Sequence, residues 1–281
     1  MQYMYMGEIE MSEFLEWQGY SLMGKGNSFV ISSPWKSNDE IVFGHDSNYT
    51  TMAISMMQYL HSKNIEVSLS IVDERIDVEA LLASTGLEIL ENGSSIICMD
   101  NARLYLCGAG EEPFDCTLNN TKQLDNTLYE ELQLAWSNET DERNISQGAY
   151  VSSQQYQESL GSRLHLDAQK GNCAIWPPRQ LNEDGVRLDK ASFNLKPRGK
   201  VITWTKLSAA GAPSEFSVRA PILGGITTVL IEFDEGPRGV FLVVDDENHV
   251  PSIDCEVELV VRMLYGQEGS VRYGTKARII K

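Results

Sequence analysis

The sequence contains few of the residues from which metal centres and nucleophilic sites are built: five Cys and four His in 281 residues. The cysteine number is odd and no two cysteines form a Cys-x-x-Cys pair. This pattern argues against a disulfide framework and against a structural zinc site. A Gly-rich phosphate loop and a Ser-His-Asp set at a recognisable spacing are also missing. The sequence therefore offers no recognisable catalytic set.

Long apolar runs are missing as well, and none approaches the length needed to cross a membrane. The first residues, MQYMYMGEIEMSEF, carry acidic side chains where a signal peptide carries basic ones. Apolar residues make up 42% of the chain and charged residues 22%, which is typical of a globular protein. We therefore expect a cytoplasmic protein of two domains that has no membrane partner.

Basic residues are scarce in one half only. Residues 1–150 hold 7 Lys and Arg against 24 Asp and Glu, whereas residues 151–281 hold 16 of each kind. One interpretation is a junction between two units of different origin, and the other is an acidic face that keeps the protein soluble. Either one argues against nucleic acid as a partner, because polyanions bind to clustered Lys and Arg.

Residues 1–125 are predicted to form an acidic, mixed α/β domain. We expect strands at 28–35, 65–72, 94–99 and 102–106, and helices at 49–60 and 77–84. Asp46 or Ser47 is expected to cap the first helix, in which Met52, Met56, Tyr59 and Leu60 form an apolar stripe. That stripe predicts a helix packed into the domain core.

The stretch from Asp46 to Ala53 resembles a helix start near the N-terminus of archaeal 3-hydroxy-3-methylglutaryl-CoA (HMG-CoA) synthases, which belong to the thiolase superfamily. Enzymes of that superfamily need two related halves and a nucleophilic cysteine with basic partners. No His neighbours Cys98, Cys107 or Cys116 in the sequence, so we expect buried thiols and no catalytic cysteine. A shortened, inactive relic of a thiolase half is one interpretation of this domain.

The second half is predicted to begin with a linker and helices at 126–165. Residues 166–197 follow and contain Cys173 and the turn Trp176-Pro177-Pro178-Arg179, where two prolines fix an extended backbone. Five short alternating strands are expected at 199–207, 226–233, 238–246, 253–264 and 270–280. This spacing predicts a small closed barrel of the OB type over 198–281. The predicted fold class is therefore α+β.

Residues 148–281 resemble a family that joins a helix, a rubredoxin-like zinc ribbon and an OB-fold barrel, and that accompanies thiolases and other acyl-CoA enzymes. The matching segments are Gly148–Tyr150 with Tyr156, the Trp-Pro-Pro-Arg turn, Arg198–Val201 with Thr205, Asp234–Arg238 and Val271–Gly274. The ribbon departs from the family pattern, because Cys173 is its only thiol and Lys170 stands three residues before it. One thiolate cannot hold structural zinc, so we expect a degenerate ribbon without metal.

The resemblance implies a scaffold subunit without chemistry of its own. Its expected partners are thiolase and HMG-CoA synthase-like proteins in a hetero-oligomer, as in the complex that joins acetoacetyl-CoA thiolase to HMG-CoA synthase early in the mevalonate route. No firmly bound cofactor is implied, although coenzyme A or acyl-CoA is a ligand to consider. Two alternatives stay open: a nucleic-acid-binding OB protein that stacks bases on Trp204 and Tyr273, and an enzyme acting alone on acyl-CoA.

The candidate binding residues are the turn and a group of cations near the C-terminus. They are Trp176, Pro177, Pro178, Arg179, Arg272, Lys276 and Arg278. The three cations of the last strand share one face in strand alternation. That face is interpreted either as a solvated surface or as a contact for coenzyme A phosphates or for a partner.

Overall fold

The computed structural model describes residues 13–143, 152–171, 173–182, 184–188, 193–247 and 249–280. The chain divides into two compact units, Met1–Asn126 and Thr127–Lys281. The predicted motif Gly148–Tyr150 lies outside the described residues. None of the described helices is both long enough and apolar enough to cross a membrane.

The N-terminal unit contains a six-stranded sheet, a three-stranded sheet and two helices. Its strands are β1 (Leu15–Trp17), β2 (Tyr20–Lys25), β3 (Ser28–Ser32), β4 (Trp35–Ser37), β5 (Glu40–Val42), β6 (Leu69–Val72), β7 (Ser94–Met99), β8 (Arg103–Cys107) and β9 (Lys122–Gln123). Its helices are α1 (Tyr49–Ser62) and α2 (Val78–Thr85). The larger sheet has the order β1-β2-β3-β8-β7-β6, in which only β6 and β7 run parallel.

Helix α1 forms where the sequence predicts it, and its Met stripe is fully buried. Its N-cap is Asn48, not Asp46 or Ser47: the Asn48 side chain accepts a hydrogen bond from Thr51 N, and Thr51 Oγ1 accepts one from Asn48 N. This reciprocal capping box satisfies two backbone donors at once. Helix α2 confirms its prediction, with Asp77 as N-cap and Gly86 in the left-handed conformation at its end.

Two strand predictions in this unit are too long. The strand expected at 28–35 ends at Ser32, and the one expected at 65–72 begins only at Leu69. Alternation alone cannot place these ends, because a strand lasts only as long as its neighbour supplies backbone hydrogen bonds.

The described residues of the C-terminal unit form a five-stranded antiparallel sheet, a two-stranded sheet and three α-helices. Its helices are α3 (Asn126–Glu139), α4 (Ser153–Leu164) and the short α5 (Arg219–Ile222). Its strands are β10 (Asp167–Ala168), β11 (Phe193–Asn194), β12 (Arg198–Leu207), β13 (Ile226–Phe233), β14 (Arg238–Leu242), β15 (Glu256–Gln267) and β16 (Ser270–Ile279). All five predicted strands are present, which confirms an α+β protein.

The large sheet of this unit has the strand order β14-β13-β12-β15-β16. Its two outer strands meet at one point, where a parallel bridge joins Val243, just after β14, to Ala277 of β16. The hydrogen-bonded strands of the described chain do not make a closed barrel, so closure stays a prediction. The inner face carries a core to which Leu166, Ala168 and Leu195 contribute from the segments before the sheet.

Candidate functional site

The proline turn packs against the core of the C-terminal sheet through Trp176. This ring stacks on Phe241 at a centroid distance of 5.7 Å and meets Phe233 edge-on at 5.4 Å. Gly239 makes room for the indole, because a Cβ at that position would lie 2.6 Å from a Trp176 ring carbon. The Trp176–Pro177 peptide bond is cis. Trp176 therefore contributes mainly to packing, and only part of it faces solvent.

A buried side chain holds the backbone at the other end of the turn. Gln169 Nε2 donates to Arg179 O, and Gln169 Oε1 accepts from Arg179 N, both at 2.8 Å. This two-point contact fixes the peptide units on both sides of the Arg179 Cα, and the Arg179 side chain is exposed. Arg179 is therefore the predicted site residue that the fold presents to solvent on a rigid backbone.

The segment around the turn retains two short hairpins. Antiparallel bridges pair Gln169 with Ile175 and Leu181 with Arg187, and β10 pairs with β11. Cys173 is exposed in the first hairpin. Within the described parts of the chain, no three His, Cys, Asp or Glu side chains cluster as metal ligands. A structural zinc ion needs four donors, and the absence of metal from this segment stays a prediction.

A surface cavity of about 410 Å³ lies beside the first hairpin. It is lined by Lys170, Gly171, Cys173, Ala174, Phe193, Glu235, Gly236 and Pro237. Glu235 Oε1 accepts a hydrogen bond from Lys196 N at 3.3 Å. A thiol, an amine and a carboxylate thus share the wall, but no hydrogen bond in the described structure joins the thiol to a base. Without such a pair, the cavity lacks an activated nucleophile.

Two of the predicted cations of the last strand, Arg272 and Lys276, are buried, and the third, Arg278, is partly buried. Arg272 and Lys276 are 3% and 1% exposed, so the interpretation of a solvated face is wrong for both. Lys276 Nζ lies 2.8 Å from Asp245 Oδ2. Arg278 bridges Glu247 and Glu258 at 3.3 and 3.5 Å. Strand alternation identifies a shared face but does not tell whether that face is covered.

Arg272 makes its main contacts with helix α4. Its guanidinium carbon lies 4.6 Å from the centre of the Tyr156 ring, and its Nη1 donates to Ser153 Oγ at 3.4 Å. Tyr156 Oη in turn accepts a hydrogen bond from Tyr273 N at 2.7 Å. These contacts attach α4 to β16. The guanidinium of Arg272 packs against the Tyr156 ring and is not presented to a ligand.

A further buried cation of this unit, Arg219, is not among the predicted site residues. It is 1% exposed, its Nε lies 2.9 Å from Glu139 Oε1, and its Nη2 donates to Leu264 O at 2.7 Å. Its guanidinium carbon lies 3.7 Å from the centre of the Trp136 ring. Burial raises the pKa of Glu139, and the charge of Arg219 opposes that rise.

The three acidic residues Asp245–Glu247 form ion pairs with basic side chains from α5, β15 and β16. Asp245 pairs with Arg219 and Lys276, Asp246 with Arg262, and Glu247 with Arg278. We call this set, together with Glu139 and Glu258, the charge network. The sequence pattern that could have indicated this network is the acidic triplet at 245–247 followed by basic residues along β15 and β16. Paired in this way, the charges hold elements together and offer no nucleophile.

Two cysteines of the N-terminal unit have thiols whose ionisation is disfavoured by burial. Burial raises the pKa of Cys98 to about 12, with the nearby Asp73 carboxylate acting in the same direction. Burial likewise raises the pKa of Cys107. Cys116 Sγ lies 3.4 Å from Tyr105 Oη, and burial is the main cause that raises the pKa of Tyr105 to about 12. A thiol must ionise to attack, so Cys98 and Cys107 are poor nucleophiles.

No protein-family model matches the chain, and no curated protein matches it.

Proposed function

We propose that this chain is a non-catalytic bridging subunit of an acyl-CoA complex of the thiolase superfamily. The observation that carries the proposal is the strand order β14-β13-β12-β15-β16, with a parallel bridge between its ends. Numbered from the first strand, this is the order 3-2-1-4-5 with strands 3 and 5 meeting, which is the connectivity of an OB-type barrel. Two hairpins and a proline turn precede it, in the order that the resemblance leads one to expect.

The specific role that we propose is to join acetoacetyl-CoA thiolase to an HMG-CoA synthase in a hetero-oligomer. A bridge of this kind keeps the acyl-CoA intermediate near the second active site, which raises its effective concentration without any reaction on the bridge. The raised thiol pKa values of Cys98 and Cys107 and the paired charges support a subunit that positions other proteins.

Contact with coenzyme A would fall to the exposed Arg179. Arg272 and Lys276 are buried, and Lys276 is bound to a carboxylate, so neither is presented to a phosphate group. We expect Arg179→Ala to weaken association with an acyl-CoA-loaded partner about tenfold, the loss of one charge-assisted contact. Arg187→Ala is the matched control, because Arg187 is also exposed and lies in the second hairpin. Equal effects of the two substitutions would contradict a role for Arg179.

The two alternatives receive less support. Stacking of bases needs several exposed aromatic rings, and of the two rings that the alternative names Trp204 is exposed and Tyr273 is buried. An enzyme acting alone would need an activated nucleophile, and the described thiols and cations supply none of the pairs found in such sites.

Affinity purification of the tagged full-length chain from its native cells, followed by mass spectrometry, tests the proposal. We expect a thiolase-superfamily polypeptide in stoichiometric amount, and no thiolysis or condensation of acyl-CoA by the purified chain alone. Turnover by the chain alone, or the recovery of nucleic acid in place of such a polypeptide, would overturn the proposal.

A further inference from the structure

The short strand β6 forms one of the two edges of the six-stranded sheet, and its inner side pairs with β7. On its other side, Leu69 has a bridge to Ile89, and Leu69 O accepts a hydrogen bond from Leu90 N at 2.6 Å. No further strand of the described chain pairs with the outer edge at 70–72. The backbone there is available to a strand from another molecule.

Large aliphatic side chains surround this free edge. Ile71 is 64% exposed, Ile89 49% and Leu90 51%. Ile89 and Leu90 lie beside Leu69, and Ile71 is two residues further along β6. We call the three exposed side chains Ile71, Ile89 and Leu90 the edge patch. Natural proteins usually blunt an edge strand with lysine, proline or a covering loop. The segment at Ile89 and Leu90 covers the edge at Leu69, but no lysine, proline or described covering loop blunts it at 70–72, and an apolar edge of this kind indicates a surface that another chain covers.

The charge around the edge patch has one sign. Residues 64–95, which build this side of the sheet, contain seven Asp and Glu and one basic residue, Arg75. That arginine is already bound by Asp73 at 3.0 Å and by Asp100 at 2.9 Å. Glu66, Glu88 and Glu91 are exposed beside the apolar residues. The rim is therefore acidic and attracts a basic partner.

The same charge argues against a second copy of this chain as the occupant. Two copies meeting at this edge would bring like charges together over the whole contact, which costs free energy. An extended segment in which apolar residues alternate with Lys or Arg has the opposite charge, and its backbone completes the edge hydrogen bonds.

We propose that the edge patch is the docking surface for a basic, extended segment of the partner subunit, which adds a strand to β6. The inference rests on the proposed function for the identity of that partner as a thiolase-superfamily polypeptide. The chemistry of the contact follows from the edge itself.

Titration of the recovered partner against full-length variants tests the docking surface. We expect Ile71→Asp to weaken binding at least tenfold, since it places a charge at the centre of the contact. Val240→Asp is the control: Val240 is 70% exposed on β14 of the other unit, and its substitution should change affinity less than twofold. The substituted side chains are exposed, so circular dichroism should show both variants folded.

Charge reversal separates the electrostatic part of the contact. Glu88→Lys with Glu91→Lys should weaken binding and flatten its salt dependence. The control is Glu130→Lys with Glu131→Lys, an exposed acidic pair on α3 that should leave both unchanged.

The outcomes distinguish this inference from the proposed function. If the wild-type chain recovers no thiolase-superfamily polypeptide, the proposed function fails. If it recovers one and Ile71→Asp binds it as tightly as the wild type, the edge patch proposal fails while the function stands. Light scattering that shows a dimer of the chain alone, dissolved by Ile71→Asp, would identify a second copy as the occupant and would also overturn the edge patch proposal.

Discussion

At the scale of single residues, Arg219 shows how the C-terminal unit keeps charge in its interior. Its guanidinium donates hydrogen bonds to two carboxylates and a backbone carbonyl, and one face lies against Trp136. A buried pair of this kind contributes little over apolar packing, but the loss of one partner leaves an uncompensated charge in a dry environment.

We therefore expect Arg219→Met to lower the free energy of unfolding by about 3–5 kcal/mol, because Glu139 and Asp245 lose their shared cation. Arg238→Met serves as the control, since Arg238 pairs with Glu232 at the surface and its loss should cost about 0–1 kcal/mol. Urea denaturation measures both values. Adding Glu139→Leu to Arg219→Met should recover part of the loss, and strict additivity of the two substitutions would contradict a coupled pair.

At the scale of elements, short polar contacts determine how the strands and helices of the N-terminal unit meet. Asp73 lies in the loop between β6 and α2, and it accepts hydrogen bonds from Cys98 N on β7 and from Arg75. Arg75 also reaches Asp100 in the turn between β7 and β8. One carboxylate thus connects three segments, and the Arg75 hydrogen bond is the main cause that lowers the pKa of Asp73 from 3.8 to about 2.

This lowered pKa predicts a pH dependence of stability. The ionised Asp73 stabilises the folded chain above pH 3.8, and the contribution is lost as the pH falls toward 2, because only then does the folded carboxyl take up a proton. Asp73→Asn should cost about 1 kcal/mol at pH 5, a value reduced by the exposure of Arg75.

Denaturant titrations of wild type and Asp73→Asn at pH 5 and pH 3 measure the difference. The difference in the free energy of unfolding between the two proteins should be smaller at pH 3 than at pH 5. A gap that is equal at both pH values would show that the contribution of Asp73 does not depend on its ionisation.

At the scale of the whole molecule, the distribution of charge determines which partners the chain attracts. The 24 acidic residues of the first 150 are opposed by only 7 basic ones, and several bases of the second half are buried in the charge network. The electrostatic potential that remains at the surface favours cationic partners and repels polyanions.

Fluorescence anisotropy with a labelled single-stranded oligonucleotide tests whether the chain repels polyanions. We expect no saturable binding in physiological salt, with any dissociation constant weaker than about 10⁻⁴ M. A single-strand-binding OB protein serves as the positive control. Tight, salt-dependent binding by this chain would instead support the nucleic-acid alternative.

Much of the secondary structure could be predicted from local pattern. The Met52 and Met56 stripe identifies α1, and the Asp77 and Gly86 signals delimit α2. Alternation of β-branched residues identifies the five strands of the larger sheet in the C-terminal unit. Periodicity and capping depend on neighbours along the chain, so the sequence contains them directly.

The candidate site could be predicted only in part, because burial depends on segments far apart in the chain. The sequence pattern alone allows Arg272 and Lys276 to be surface cations; in the fold they are buried, with Arg272 against α4 and Lys276 paired with Asp245. No local sequence pattern indicates that Arg219 is buried. The sequence by itself determined the helices α1 and α2, the five strands of the larger C-terminal sheet and the uneven charge. Tertiary structure alone decided which charges are paired in the interior and which edge is left open, since both result from contacts between distant residues.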